Sequence, residues 1–279
     1  MRLSPGFSPC PNDTFIFDAL VPGKVDTEGL EFDVTLADVE VLNEHALEGR
    51  LDVTKLSYHA LGYVRDRYAL LRSGSALGRG VGPLLIARTA LSEEALRNSL
   101  VAIPGKYTTA NFLFRLAYPT VVQTRQMLFS DIEGAIRAGE VQAGVIIHEN
   151  RFTYADRGFV KLRDLGEFWE SSFHAPIPLG CIVAHRRLPP EVQAKLDRVL
   201  RRSVAYAQTN PTASAEYVRA HAQEMSEEVT RQHIELYVND FTLELGEEGE
   251  RAIRTLFAAA DERGLFEPSA EALFVPGDK

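Results

Sequence analysis

His148 is the residue of this sequence best suited to move a proton. It closes a nearly continuous apolar stretch, Val141 to His148, and is followed by Glu149 and Asn150. An imidazole titrates near neutral pH and can serve as a general base there. The plainer alternative is a histidine that ties down a strand end. The remaining histidines are placed less well: His45, His221 and His233 fall in helical stretches, His59 follows a strand without ending it, and His174 and His185 lie near loops. None has the His-Glu-x-x-His spacing of a metal helix. Cys10 has no Cys or His within four positions and Cys181 has only the single His185 four positions on, so neither a zinc cluster nor a disulfide framework is expected.

Polar side chains suited to binding stand at three other places. Pro104 to Ala110 follows a strand and opens a helix, with Thr108 and Thr109 at the start. Unpaired N–H groups of a first turn suit a carboxylate or a single phosphate. The first glycine of a nucleotide-binding loop is missing, because Leu100 stands there. Simple capping of the helix is the competing reading. Ser57 ends another strand, but it lacks the Gly-x-Ser-x-Gly frame of a hydrolase nucleophile, so ligand binding suits it better than covalent attack. Ser8 to Phe15 forms a third strand-to-helix junction, where Asn12, Asp13 or Thr14 is expected to cap the helix. Cys10 beside it reads as a buried thiol. Gly78 to Pro83 is glycine-rich with the wrong spacing for a dinucleotide site and reads as a mobile loop, from which Arg79 could reach an anion.

These positions need a frame. Short apolar strands alternate with helical patterns through the first two thirds, the α/β signature. Strands are expected at 31–36, 51–57, 69–72, 84–87, 100–103, 121–129, 141–148 and 179–184, and helices at 37–50, 58–67, 108–118 and 131–138. After Pro189 the pattern turns helical, at 191–208, 212–223, 227–239 and 248–263. Such a tail is expected to wrap one lobe or fill an interface.

One internal echo bears on domain count. Leu47 to Ser57 and Arg137 to His148 each run from a helix end through a glycine, Gly49 or Gly139, and a charged residue into a strand. Two lobes on one theme would produce this; chance recurrence of a glycine-capped helix is the rival. In the two-lobe reading Ser57 and His148 face each other across a cleft at the carboxyl ends of parallel strands. The lobes are expected at 1–88 plus 184–279 and at 89–183, joined by hinge strands near 83–88 and 179–185.

Composition narrows the partners. Lys and Arg total 30 against 39 Asp and Glu, a net charge of −9, which argues against nucleic acid but allows a local site for a small acid. The N-terminus lacks a signal peptide's apolar core, and no stretch approaches the roughly 18 apolar residues of a membrane helix. A cytoplasmic protein with no membrane partner is expected. The oligomeric state stays open, a homodimer being one option.

Five stretches carry a family resemblance: Ser8 to Phe15, Thr54 to Tyr58, Gly78 to Pro83, Thr108 to Ala110 and Gly144 to Glu149. In this order and spacing they resemble the 1,4-dihydroxy-6-naphthoate synthases, the MqnD family of the futalosine route to menaquinone. The likeness runs on through Arg151 to Tyr154 and the helical tail at Gly246 to Gly249. It implies a two-lobed, periplasmic-binding-protein-like (type II) α/β fold with a ligand cleft between the lobes. It also implies a lyase without cofactor that opens cyclic dehypoxanthinyl-futalosine, releasing the naphthoate and a small sugar-derived fragment. Carried over residue by residue, the proton acceptor falls on His148, and substrate binding falls on Lys55, Leu56, Ser57, Thr109 and Ala110. Thr108, Asn12 and Arg79 join the candidate binding set. Asp18 stands where an aromatic would be unsurprising, on what reads as helix surface. Two rivals remain: chorismate dehydratase of the same pathway, and a cytosolic solute-binding or sensor protein without chemistry.

Overall fold

The computed structural model describes residues 1–222 and 226–277. The chain divides into two compact units, Met1–Gly78 with Pro178–Lys279, and Arg79–Ile177. Both divisions fall earlier in the chain than the hydropathy pattern suggests. The reason lies in the two strands read as hinges. Leu84–Ala87 is buried throughout and pairs on both sides within the second unit's sheet, while Ile177–His185 pairs on both sides within the first unit's sheet. Their apolar runs are sheet interior rather than connectors.

In the first unit the strand order is Thr35–Leu36, Pro5–Phe7, Val53–Ser57, Ile177–His185, Tyr68–Leu70, with Ala76–Gly78 also on Ile177–His185. In the second it is Thr124–Gln126, Val101–Ile103, Ala143–Ile146, Leu84–Ala87, Val160–Asp164. The pattern is the same in both. The third strand in each order, Val53–Ser57 or Ala143–Ile146, pairs parallel with the second, Pro5–Phe7 or Val101–Ile103, and antiparallel with the fourth, Ile177–His185 or Leu84–Ala87.

The echo in the sequence is this third strand and the helix before it. Helices Val39–Leu47 and Ile132–Ala138 both end at a left-handed glycine, Gly49 at φ 69° and Gly139 at φ 77°. The closing hydrogen bonds match: Gly49 to Ala46 and Arg50 to His45, Gly139 to Ile136 and Glu140 to Ala135. Only glycine takes that backbone without a Cβ penalty.

Each unit has its own core. Phe7, Phe15, Phe17, Leu20, Ile182, Leu196 and Val204 form the first, with the Phe7 and Phe17 rings stacked at 4.1 Å. Leu84, Ile86, Ile132, Ile136 and Ile146 anchor the second.

The helical tail belongs to the first unit. Pro190–Thr209, Ala215–His221 and Glu227–Tyr237 all pack on the buried helix Pro11–Phe17, and Ser203 Oγ donates to the carbonyl of Ile16 at 2.6 Å. The helix expected over 212–223 is a 3-10 turn, Pro211–Ser214, followed by Ala215–His221; its expected last residue, Gln223, lies outside the described residues. Asp18, read as surface, is 1% exposed and pairs with Lys24 Nζ at 2.6 Å. An ion pair lets the carboxylate enter the core. Among the described residues no helix is long and apolar enough to cross a membrane.

Candidate active site

The first unit gathers Asn12 and Lys55 into one buried polar network around Asp13, and Leu56 and Ser57 follow Lys55 on its strand. Pro5–Phe7 feeds the helix Pro11–Phe17, whose N-cap is Cys10 with no side-chain cap, so Asn12, Asp13 and Thr14 are not caps. Proline at the first helical position explains the start. The side chains are released for other work. Asp13 accepts from Ser8 Oγ at 2.7 Å and from the Ser8 amide at 3.2 Å, and it pairs with Lys55 Nζ at 2.9 Å. Asn12 Nδ2 donates to Asp13 Oδ1 at 2.9 Å. Lys55 also donates to the Gly74 carbonyl at 3.3 Å, and Gly180 on the neighbouring strand leaves room for its stem. The ammonium is thus balanced by a carboxylate and brings little net charge to a ligand.

Ser57, the last residue of its strand, is fixed by Asn43: its amide donates to Asn43 Oδ1 at 2.9 Å and its Oγ accepts from Nδ2 at 3.3 Å. The Ser57 hydroxyl hydrogen stays available, because Asn43 supplies donors only to the oxygen. Leu56 is wholly buried, so its side chain serves packing. Burial pushes the Cys181 thiol up, against a smaller downward pull from Lys55, so that thiol is no nucleophile.

The second unit holds Arg79, Thr108, Thr109, Ala110 and His148. Thr108 is the N-cap of Thr109–Ala117: its Oγ1 accepts from the Asn111 amide at 3.2 Å and donates to the Gly105 carbonyl at 2.8 Å. Its hydroxyl hydrogen is spent, so for Thr108 the capping reading is the one realised. The N–H of Ala110, in the first turn, has no intrahelical acceptor and can meet an anion. Thr109 is 2% exposed.

His148 does not end a strand. Ala143–Ile146 stops two residues earlier, and His148 sits half-buried in the next turn at φ 57°. Its ring meets Phe129 edge-on at 4.9 Å. A left-handed histidine is uncommon and costs backbone energy, a feature that concentrates at functional sites.

The glycine loop is pinned rather than mobile. A Cβ on Gly82 would lie 2.3 Å from the backbone of Gly166; Arg151 donates to the Gly82 carbonyl, and the Gly80 amide donates to Glu170 at 2.7 Å. Arg79 is exposed at its start. Asp164 holds both sides together, capping Leu165–Phe173 and pairing with Arg151 at 2.9 Å.

Two participants escaped sequence reasoning. Asn43 reaches Ser57, and its place on the buried face of the helix Val39–Leu47 was the available signal. His233 reaches Asn12 at 2.9 Å from the far end of the chain, and no local pattern announces it. Among the described residues no cluster of three His, Cys, Asp or Glu could hold a metal ion.

The two-unit α/β architecture is the periplasmic-binding-protein-like fold. The alkanesulfonate-binding protein SsuA from Xanthomonas axonopodis pv. citri, bound to MOPS, aligns with TM-score 0.71 over 96% of this chain and 94% of its own at 13% identity, a likeness of fold alone. A crystal structure of a protein from Archaeoglobus fulgidus aligns at 0.90 with 35% identity, covering 95% of this chain and 98% of that one. The sequence model of the menaquinone biosynthesis family matches residues 3–262, and the chain belongs to that family. Its curated relatives are enzymes. The 1,4-dihydroxy-6-naphthoate synthase of Thermus thermophilus is 53% identical over 97% of this chain and 98% of its own, and that of Streptomyces coelicolor is 49% identical over 93% of each.

Proposed function

We propose that the protein is a lyase that converts cyclic dehypoxanthinyl-futalosine into 1,4-dihydroxy-6-naphthoate, releasing a small sugar-derived fragment, in the cytoplasm and without a cofactor. Membership of the menaquinone family and near-full-length relatives named for this activity support the reaction. His148 carries the chemistry in this reading. Elimination from a carbon acidified by a neighbouring carbonyl needs a positioned base, and a histidine in a strained turn is the observation that favours it. Ser57 and Thr109 orient polar groups of the substrate, while the Ala110 N–H meets its carboxylate. Local donors have to do this, because a net charge of −9 repels anions from the surface as a whole.

The test is incubation of the purified protein with cyclic dehypoxanthinyl-futalosine, with naphthoate absorbance as the readout. Naphthoate formation is the expected outcome. Dehydration of chorismate with no naphthoate would assign the protein to the other reaction, and a bound but unchanged substrate would make it a sensor.

A further inference from the structure

His233, from the helix Glu227–Tyr237, is fully buried, with Nε2 2.9 Å from Oδ1 of Asn12. The chemistry of the neighbours fixes which atoms carry hydrogen. Asn12 Nδ2 lies 2.9 Å from Asp13 Oδ1, and that carboxylate also takes Lys55 Nζ and both donors of Ser8. Turning the Asn12 amide over would set its oxygen against a carboxylate. Oδ1 therefore faces His233, and since an oxygen only accepts here, Nε2 carries the hydrogen. The carboxamide is gripped from both ends, with one N–H spent on Asp13. Its second N–H has no protein partner among the described residues. At 7% exposure, leaving that donor unmatched is costly unless a ligand takes it.

We propose that His233 is a positioning residue for substrate binding: it holds the Asn12 carboxamide so that the second N–H donates to a polar group of the substrate. The helical tail thereby supplies part of the binding machinery that the N-terminal junction presents. This rests on the synthase reading and on Asn12 as a substrate contact.

Steady-state kinetics of His233→Phe, His233→Gln, Asn12→Ala and the double variant Asn12→Ala/His233→Phe test it, with melting temperature as the check on folding. His233→Phe is expected to raise KM about tenfold while kcat stays within about twofold, the mark of lost uniform binding. His233→Gln, which keeps an N–H donor, restores most of the affinity. The double variant is no worse than Asn12→Ala alone, because both remove one interaction. A histidine that only fills space would lower the melting temperature and leave KM alone. Unchanged KM in His233→Phe, or effects that multiply in the double variant, would overturn the assignment. Should His233→Phe not fold, His233→Asn, too short to reach Asn12, takes its place with the same expected KM. A wild-type protein that neither binds nor converts the substrate overturns the synthase reading and this assignment with it. A converting wild type with uncoupled variants overturns the assignment alone.

Discussion

The two units share a strand order and differ immediately past the third strand. In the first, Ser57 runs straight into a helix and its polar neighbours are buried and held in pairs: Asn43 on Ser57, Lys55 on Asp13, His233 on Asn12. In the second, the strand gives way to a turn in which His148 takes a left-handed backbone with its ring half-buried beside Phe129. A buried network held by these pairs is stiff and fixes the donors it leaves over. In the proposed reaction the half-buried imidazole of this turn is the group that acts on the substrate. In that proposed reading one frame serves two tasks, holding and reacting, through its loops rather than its sheet.

Removing the reacting side should cost most. His148→Asn is expected to lower naphthoate formation by about 100- to 10,000-fold, the usual worth of a general base, with substrate affinity kept. Turnover close to wild type in that variant would take His148 out of the mechanism. On the holding side the cost should appear in stability. Asp13→Ala strands the buried Lys55 ammonium, 7% exposed, and should lower unfolding free energy by about 3–5 kcal/mol in urea titration. A loss under about 1 kcal/mol would mean that Lys55 finds another partner or water and that the network is not stiff.

Two glycines separate the units on a finer scale. In the second, Gly82→Ala drives a Cβ to 2.3 Å from backbone that cannot yield, and about 1–3 kcal/mol of destabilisation is expected. In the first, Gly180→Ala meets the flexible Lys55 stem at 3.2 Å and the Leu56 carbonyl oxygen at 3.4 Å, and should be milder. Thermal melts of both variants decide the ranking, and the reverse order would show that the glycine loop relaxes.

The smallest effect concerns pH. Before each third strand a side-chain oxygen accepts from the amide ahead of the parallel strand beside it: Asp52 from Ser4 at 3.0 Å, Gln142 from Leu100 at 2.9 Å. Burial pushes Asp52 up, but the Ser4 bonds and Arg187 outweigh it and hold the carboxyl below its usual value. A carboxyl lowered on folding contributes stability above its unfolded value of about 3.9, and loses it as pH falls through the folded value. Amide exchange at Ser4 should therefore quicken relative to Leu100 below about pH 4, whereas Gln142 does not titrate. Parallel behaviour of the two amides would show that Asp52 contributes nothing there.

Much of this was legible along the chain. Gly49 and Gly139 marked two equivalent helix ends because a left-handed cap is a local demand, satisfied within a few residues. Thr108 was readable as a cap for the same reason. Other features were not. Pro5–Phe7 hides as a strand because proline argues against one, and Asp18 looks like surface until Lys24 reaches it. The apolar runs at Leu84–Ala87 and Ile177–His185 resemble connectors, since a run buried on both faces has no alternation to reveal its sheet.

The sequence by itself determined the α/β alternation, the repeated helix–glycine–strand theme, the helical tail and the prominence of His148. Each is set by short-range sterics, capping and side-chain period, which need no distant partner. Only the tertiary structure decided that His148 sits past its strand at φ 57°, that Lys55 is neutralised by Asp13, and that His233 grips Asn12. Those outcomes depend on which buried polar groups meet. A buried donor or acceptor must be paired wherever the fold leaves it, and the partner can come from any point in the chain.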